Sequence, residues 1–299
     1  MLETAMSELA VAKSRQPPLR LEHRPADFED DRQDPHEGYF EDDGTISRSE
    51  AYDQLYQMLP EPPQTEDEEE SLDLDELNVL LTSIIQQTPY WHAGQMKLVL
   101  LVRLLEKADR CSRLYTFRTH RKYGGLWEFV SWLCEIGDYY EEVHDNVPEH
   151  FNIVAFQARL ASAGVLTEHS HRKVGVMRQA LENPRLNDVE IRRAAIWILI
   201  DGKSIYEEMV LYPEIPASGW DAHLFHPGRL YTGPRFGLER WEFWQKRFYE
   251  MADQQIKKES VWENRSGEQR APFEPSLESR EMARRAADLM AALTRLVKW

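Results

Sequence analysis

The chain has 299 residues, with 52 Asp/Glu against 36 Lys/Arg and a net charge of −16. Residues 1–70 hold 20 of the acidic groups and 6 of the basic ones, so the rest of the chain is close to neutral at −2. An acidic leader and a neutral body argue against nucleic acid as a partner. The longest apolar runs, Leu98–Val102 and Ala194–Ile200, fall far short of the ~20 residues that span a bilayer.

Taken in order, Met1–Arg15 lacks the basic start and apolar run of a secretory signal. The expected location is therefore cytoplasmic or nuclear, not secreted, and the acceptor triplet Asn264-Arg265-Ser266 is a chance match. Residues 1–45 read as a disordered acidic leader: Pro17, Pro18, Pro25 and Pro35 punctuate clusters such as Glu29-Asp30-Asp31 and Glu41-Asp42-Asp43. Residues 46–71 combine a short amphipathic helix with an acidic linker. Ser47-Arg48-Ser49-Glu50 makes a capping box, and Ala51, Leu55 and Leu59 follow on one face. That helix either docks on the body or sits free on its tether.

Residues 72–299 read as a single all-α domain, an irregular multi-helix bundle with one long aromatic and proline-rich loop. Leu74, Leu77, Leu81, Ile84 and Ile85 form a helical stripe. Ala93–Ala108 is apolar on most sides and is expected to be widely buried. Gly124-Gly125 opens a helix over Leu126–Glu135. Asn146-Val147-Pro148-Glu149 caps Phe151–Ala163, which Gly164 stops, and Asn187-Asp188-Val189-Glu190 caps a helix to about Met209, interrupted at Gly202. Residues 212–236 break the pattern with seven Pro and Gly but keep Trp220, Phe225 and Tyr231, as in loops that are functional or wrap a core. Helices over Leu238 to about Val261 and Leu277 to Lys298 close the chain.

Motifs that carry chemistry are scarce. Gly202-Lys203-Ser204 imitates the end of a phosphate-binding loop, but Trp197 stands where that loop needs a glycine, and helix stands where it needs a strand. Cys111 and Cys134 have no metal-type spacing and read as reduced thiols among apolar neighbours. A metal site, if there is one, would use Asp221, His223 and His226, because a proline-rich loop can converge ligands. The runs Arg118–Lys122 and Arg280–Arg285 are local basic patches, expected as solvated helix faces. Trp241, Trp244 and Phe248 share one helical face beside Arg240 and Arg247. They form either a core face or an aromatic wall for a planar ligand, which Trp197, Arg240 and Arg159 would complete. A buried Arg159 would need a carboxylate, for which Glu182 and Glu239 are candidates. No cofactor is implied.

Five blocks in order carry a resemblance. They are Gln95-Met96-Lys97-Leu98-Val99; Phe151-Asn152-Ile153-Val154-Ala155-Phe156-Gln157-Ala158-Arg159-Leu160; Met177-Arg178-Gln179-Ala180-Leu181-Glu182; Ala194-Ala195-Ile196-Trp197-Ile198; and Glu239-Arg240-Trp241-Glu242-Phe243-Trp244. With Leu126-Trp127 between the first two, their order over residues 50–292 resembles a fungal family of uncharacterised all-helical proteins, a domain of unknown function. The resemblance implies an all-α fold, and it brings no activity, cofactor or catalytic residue to carry over.

The functional expectation is a non-enzymatic helical scaffold or adaptor whose acidic arm meets a protein partner with a basic surface, with oligomeric state left open. The alternatives are a small-molecule-binding protein or enzyme accessory to specialised metabolism, and a nuclear co-regulator. Phe28, Tyr39 and Phe40 among acids motivate the last.

Overall fold

The computed structural model describes residues 48–59, 75–108, 110, 133, 148–165, 170–184, 187–213, 225–253 and 274–297. The leader, the acidic linker, both cysteines, Asp221, His223, Trp220 and all of Leu126–Glu135 except Leu133 lie outside the described residues. The described residues are mostly helical, with no strand among them. The helices are α1 (Arg48–Met58), α2 (Asp75–Gln87), α3 (Gly94–Glu106), α4 (Pro148–Ser162), α5 (Ser170–Leu181), α6 (Asp188–Tyr206), α7 (Leu238–Ala252) and α8 (Leu277–Val297). A π-helical turn, Glu207–Leu211, continues α6.

Local chemistry sets several of these ends. Pro148 takes the first position of α4, where its missing N–H costs nothing. Gly164, at φ 73°, supplies the left-handed residue that closes the same helix. The Asn187 side chain accepts from the Glu190 backbone N–H at 3.0 Å and caps α6. Asn187→Ala should lower stability by about 1 kcal/mol, read as a shift in the urea midpoint; an unchanged midpoint would show the cap to be idle.

Two apolar clusters share helix α4. Phe151, Val154, Ala155 and Ala158 face a large cluster built from α5, α6, α7 and α8. Ile153, Phe156 and Leu160 face a smaller one built from α1, α2 and α3, with Leu133. Helix α6 packs on α4, α5 and α8, while α1 lies against α2 and α3. The short N-terminal helix is thus docked: Leu55 and Leu59 are buried, and Arg110 donates to the Tyr56 and Leu59 carbonyls at 3.3 and 2.9 Å.

Helix α3 departs from expectation. Its Val99, Leu101, Val102 and Leu105 are buried, but Met96 and Leu104 are 44% and 40% exposed. The apolar composition overstates its burial, because one long face of α3 has no helix against it among the described residues.

Candidate functional site

The most tightly built polar site sits where α5 ends. Glu182, one residue past that helix, is completely buried, and so is Arg240 in the first turn of α7. Glu182 Oε1 accepts from Arg240 Nε and Trp244 Nε1, both at 2.6 Å. Its Oε2 accepts from Arg240 Nη2 at 3.2 Å and from the Gly228 backbone N–H at 2.5 Å. The other guanidinium nitrogen, Arg240 Nη1, donates to the Phe225 and Arg235 carbonyls at 2.7 and 2.6 Å. The planar guanidinium fork suits such paired recognition, and it lies 5.2 Å from the Trp244 ring centre.

This knot straps the second half of the aromatic loop to the core. The Leu230 N–H donates to the Glu182 carbonyl at 2.9 Å, and the Gly237 N–H to that of Met209 at 2.7 Å. A Cβ on Gly228 would lie 2.6 Å from Glu182 Cβ and 2.8 Å from its carbonyl oxygen, so only a hydrogen fits there. Gly237, at φ 110°, makes the turn into α7. Phe225 and Tyr231 are buried by the strapping, and burial pushes the Tyr231 hydroxyl up to about 12, with Glu239 adding to the effect. Chemically, all the acceptor capacity of Glu182 goes to protein donors.

A second polar network lies along α6. Lys173 of α5 is buried, with its Nζ 3.0 Å from Asp201 Oδ2, 2.7 Å from Glu208 Oε1 and 3.1 Å from Ser204 Oγ. Ser204 also donates to Glu208 at 3.1 Å. Asp201 is 2% exposed, its Oδ1 has no hydrogen-bond donor, and its backbone leaves helical geometry at φ −120°, ψ 16°. Burial pushes its carboxyl up to about 6, against the pull of Lys173. The network reaches solvent through Glu208. Kinks and π-turns of this kind recur at functional sites, and here they place three polar side chains around one ammonium. Sequence reasoning noted the interruption at Gly202 and a phosphate-loop imitation at Gly202-Lys203-Ser204; the missed signal was Asp201, a lone acid on an apolar helix face.

Trp197, Trp241 and Trp244 all lie in the large apolar cluster. The Trp241 indole donates to Thr294 Oγ1 at 3.1 Å and meets Tyr206 edge-on, 5.0 Å between centres. Arg159 belongs elsewhere, and neither Glu182 nor Glu239 is its partner. It donates to Gln95 Oε1 and the Tyr90 carbonyl, both at 2.8 Å, and burial lowers its guanidinium to about 10. Gln95 Nε2 in turn donates to the Thr88 and Asn152 carbonyls at 3.0 and 2.9 Å, so this group fastens α3 to α4. Of the proposed metal ligands only His226 is described. Its Nε2 is 2.9 Å from Arg235 Nη2, and among the described residues no three His, Cys, Asp or Glu converge to hold a metal.

A family model described as "Protein of unknown function (DUF3632)" matches residues 79–248, more than half of the chain. The chain belongs to this family. The DUF3632 span contains both polar networks and the Gln95–Arg159 group, and each of the five sequence blocks falls inside it. It is narrower than residues 50–292, leaving out α1 and α8 as well as the leader. No curated protein and no solved structure matches the chain. No described helix is long and apolar enough to cross a membrane.

Proposed function

We propose that this DUF3632 chain is a helical scaffold or adaptor, with the acidic leader as its contact arm and a protein of basic surface as its partner. The observation carrying this reading is the Glu182–Arg240–Trp244 knot. The residues most suited to an aromatic ligand wall have their polar atoms bonded into the frame, and a frame fastened so firmly suits a platform. The charge split supports the other half, since an arm holding most of the net charge attracts a basic surface at a range that salt shortens. The reading calls for no cofactor.

The test is affinity purification of the tagged chain from its own cells, with and without residues 1–44, followed by native mass spectrometry. The expected result is a stoichiometric protein partner that is lost on deletion and weakened by raised salt. Partner capture that survives deletion would sink the interaction arm. A small molecule that stays bound natively and leaves on denaturation would favour the ligand-binding alternative instead.

A further inference from the structure

The face of α3 that no described helix covers has a defined chemistry. Helical spacing puts Met96, Leu100 and Leu104 in one row, with Arg103 and Lys107 beside it and Lys97 at its far edge. Met96 and Leu104 are exposed, Leu100 is half-buried, and the Arg103 and Lys107 side chains are exposed. Over its described residues 94–108 this segment carries Lys97, Arg103 and Lys107 against the single acid Glu106. The face therefore suits a segment that offers one large apolar side chain next to several carboxylates.

The leader contains that segment twice. Phe28-Glu29-Asp30-Asp31 and Phe40-Glu41-Asp42-Asp43 are the same tetrapeptide, twelve residues apart, within a stretch of residues 26–43 that has 9 acids and a single Arg. Each copy places one ring directly before three carboxylates. The second copy is also tethered nearby: Phe40 is eight residues before α1, a helix that packs on α3. Eight residues span at most about 29 Å when fully extended, which confines this copy to the neighbourhood of the α3 face.

We propose that Phe40-Glu41-Asp42-Asp43 docks on the α3 face of its own chain, with the Phe40 ring on the Met96–Leu100–Leu104 row and the carboxylates against Arg103 and Lys107. The first copy, farther along the tether, stays available to other surfaces. Docking of this kind makes the leader both arm and occupant: a partner that takes the second copy must displace it from α3. The inference does not depend on partner capture, and its test contains no partner.

The experiment is zero-length carbodiimide cross-linking of the full-length chain, mixed from light and 15N-labelled protein at low micromolar concentration. Lys107 should link to Glu41, Asp42 or Asp43 within one chain about tenfold more often than Lys203 or Lys246 does, as opposite charge raises local concentration. Those two lysines have side chains 81% and 75% exposed, so they report random encounter. Met96→Glu and Leu104→Glu change exposed positions outside both apolar clusters, and each should bring the Lys107 yield down to that of Lys203. Phe40→Ser should do the same. Equal yields at all three lysines in the unmodified chain would overturn the proposal, and so would links found only between light and heavy chains.

Discussion

Glu182→Gln is expected to lower the unfolding free energy by about 3–5 kcal/mol, the cost of leaving a buried charge without its partner. The amide keeps an oxygen for the Trp244 indole but has no charge to offset Arg240, which is fully enclosed beside the Phe225 and Arg235 carbonyls. Arg240→Met should cost a similar amount, because it strands the carboxylate instead. The double variant Glu182→Met with Arg240→Met should fall well short of the sum of Glu182→Met and Arg240→Met made singly, since it removes both charges together. Part of the loss will remain even there, because the Trp244 and Gly228 N–H groups lose their acceptor. Urea denaturation followed by tryptophan fluorescence reads all five proteins. A Glu182→Gln midpoint equal to that of the parent would mean that the knot contributes nothing to stability.

Asp201→Asn is expected to change the pH dependence of stability by about 3 kcal/mol between pH 4 and pH 7. The figure follows from a carboxyl raised from its ordinary 3.8 to about 6, at 1.36 kcal/mol per unit. The direction follows from proton linkage. Between those two values the folded protein holds a proton that the unfolded chain has released, so the contribution of Asp201 is fully present below about pH 4 and lost as pH rises through about 6. The Asn side chain has no such proton. Stability of the parent relative to the variant should therefore fall as pH rises, with the Asn protein gaining on it by pH 7. Lys173 and Glu208 face the same position in both proteins, and effects common to both cancel in the comparison. Urea midpoints measured at several pH values between 4 and 7 give the result, and two parallel curves would remove Asp201 from the account.

Most of the helices were legible because their signals are local, whereas α5 (Ser170–Leu181) was not read as an element. Asn187 ahead of Glu190, Pro148 at a first turn and Gly164 after a last one each mark a boundary through chemistry within four residues. The face of Trp241, Trp244 and Phe248 was equally visible, since burial of one side of a helix leaves a periodic trace. Partnerships across the fold left no such trace. Arg240 lies 58 residues from Glu182 and Arg159 lies 64 from Gln95, and no spacing rule links those positions. Glu182 and Glu239, named as carboxylates for a buried Arg159, are not its partners, because its burial is incomplete and a backbone carbonyl and an amide oxygen satisfy the guanidinium. The exposure of Met96 and Leu104 was hidden for the opposite reason. An apolar side chain reads as interior wherever it occurs, and only the assembled fold reveals which face remains uncovered.

Helix α4 separates the two apolar clusters and supplies side chains to both. A wall shared in this way makes the halves on either side mutually dependent: loss of α1–α3 would expose Ile153, Phe156 and Leu160, and loss of α5–α8 would expose Phe151, Val154 and Ala158. Neither half can come apart without wetting one side of the same helix. Hydrogen exchange should therefore find the amides of α4 opening only with the whole molecule, as the slowest group in the chain. Changes at this helix will also spread to both halves at once.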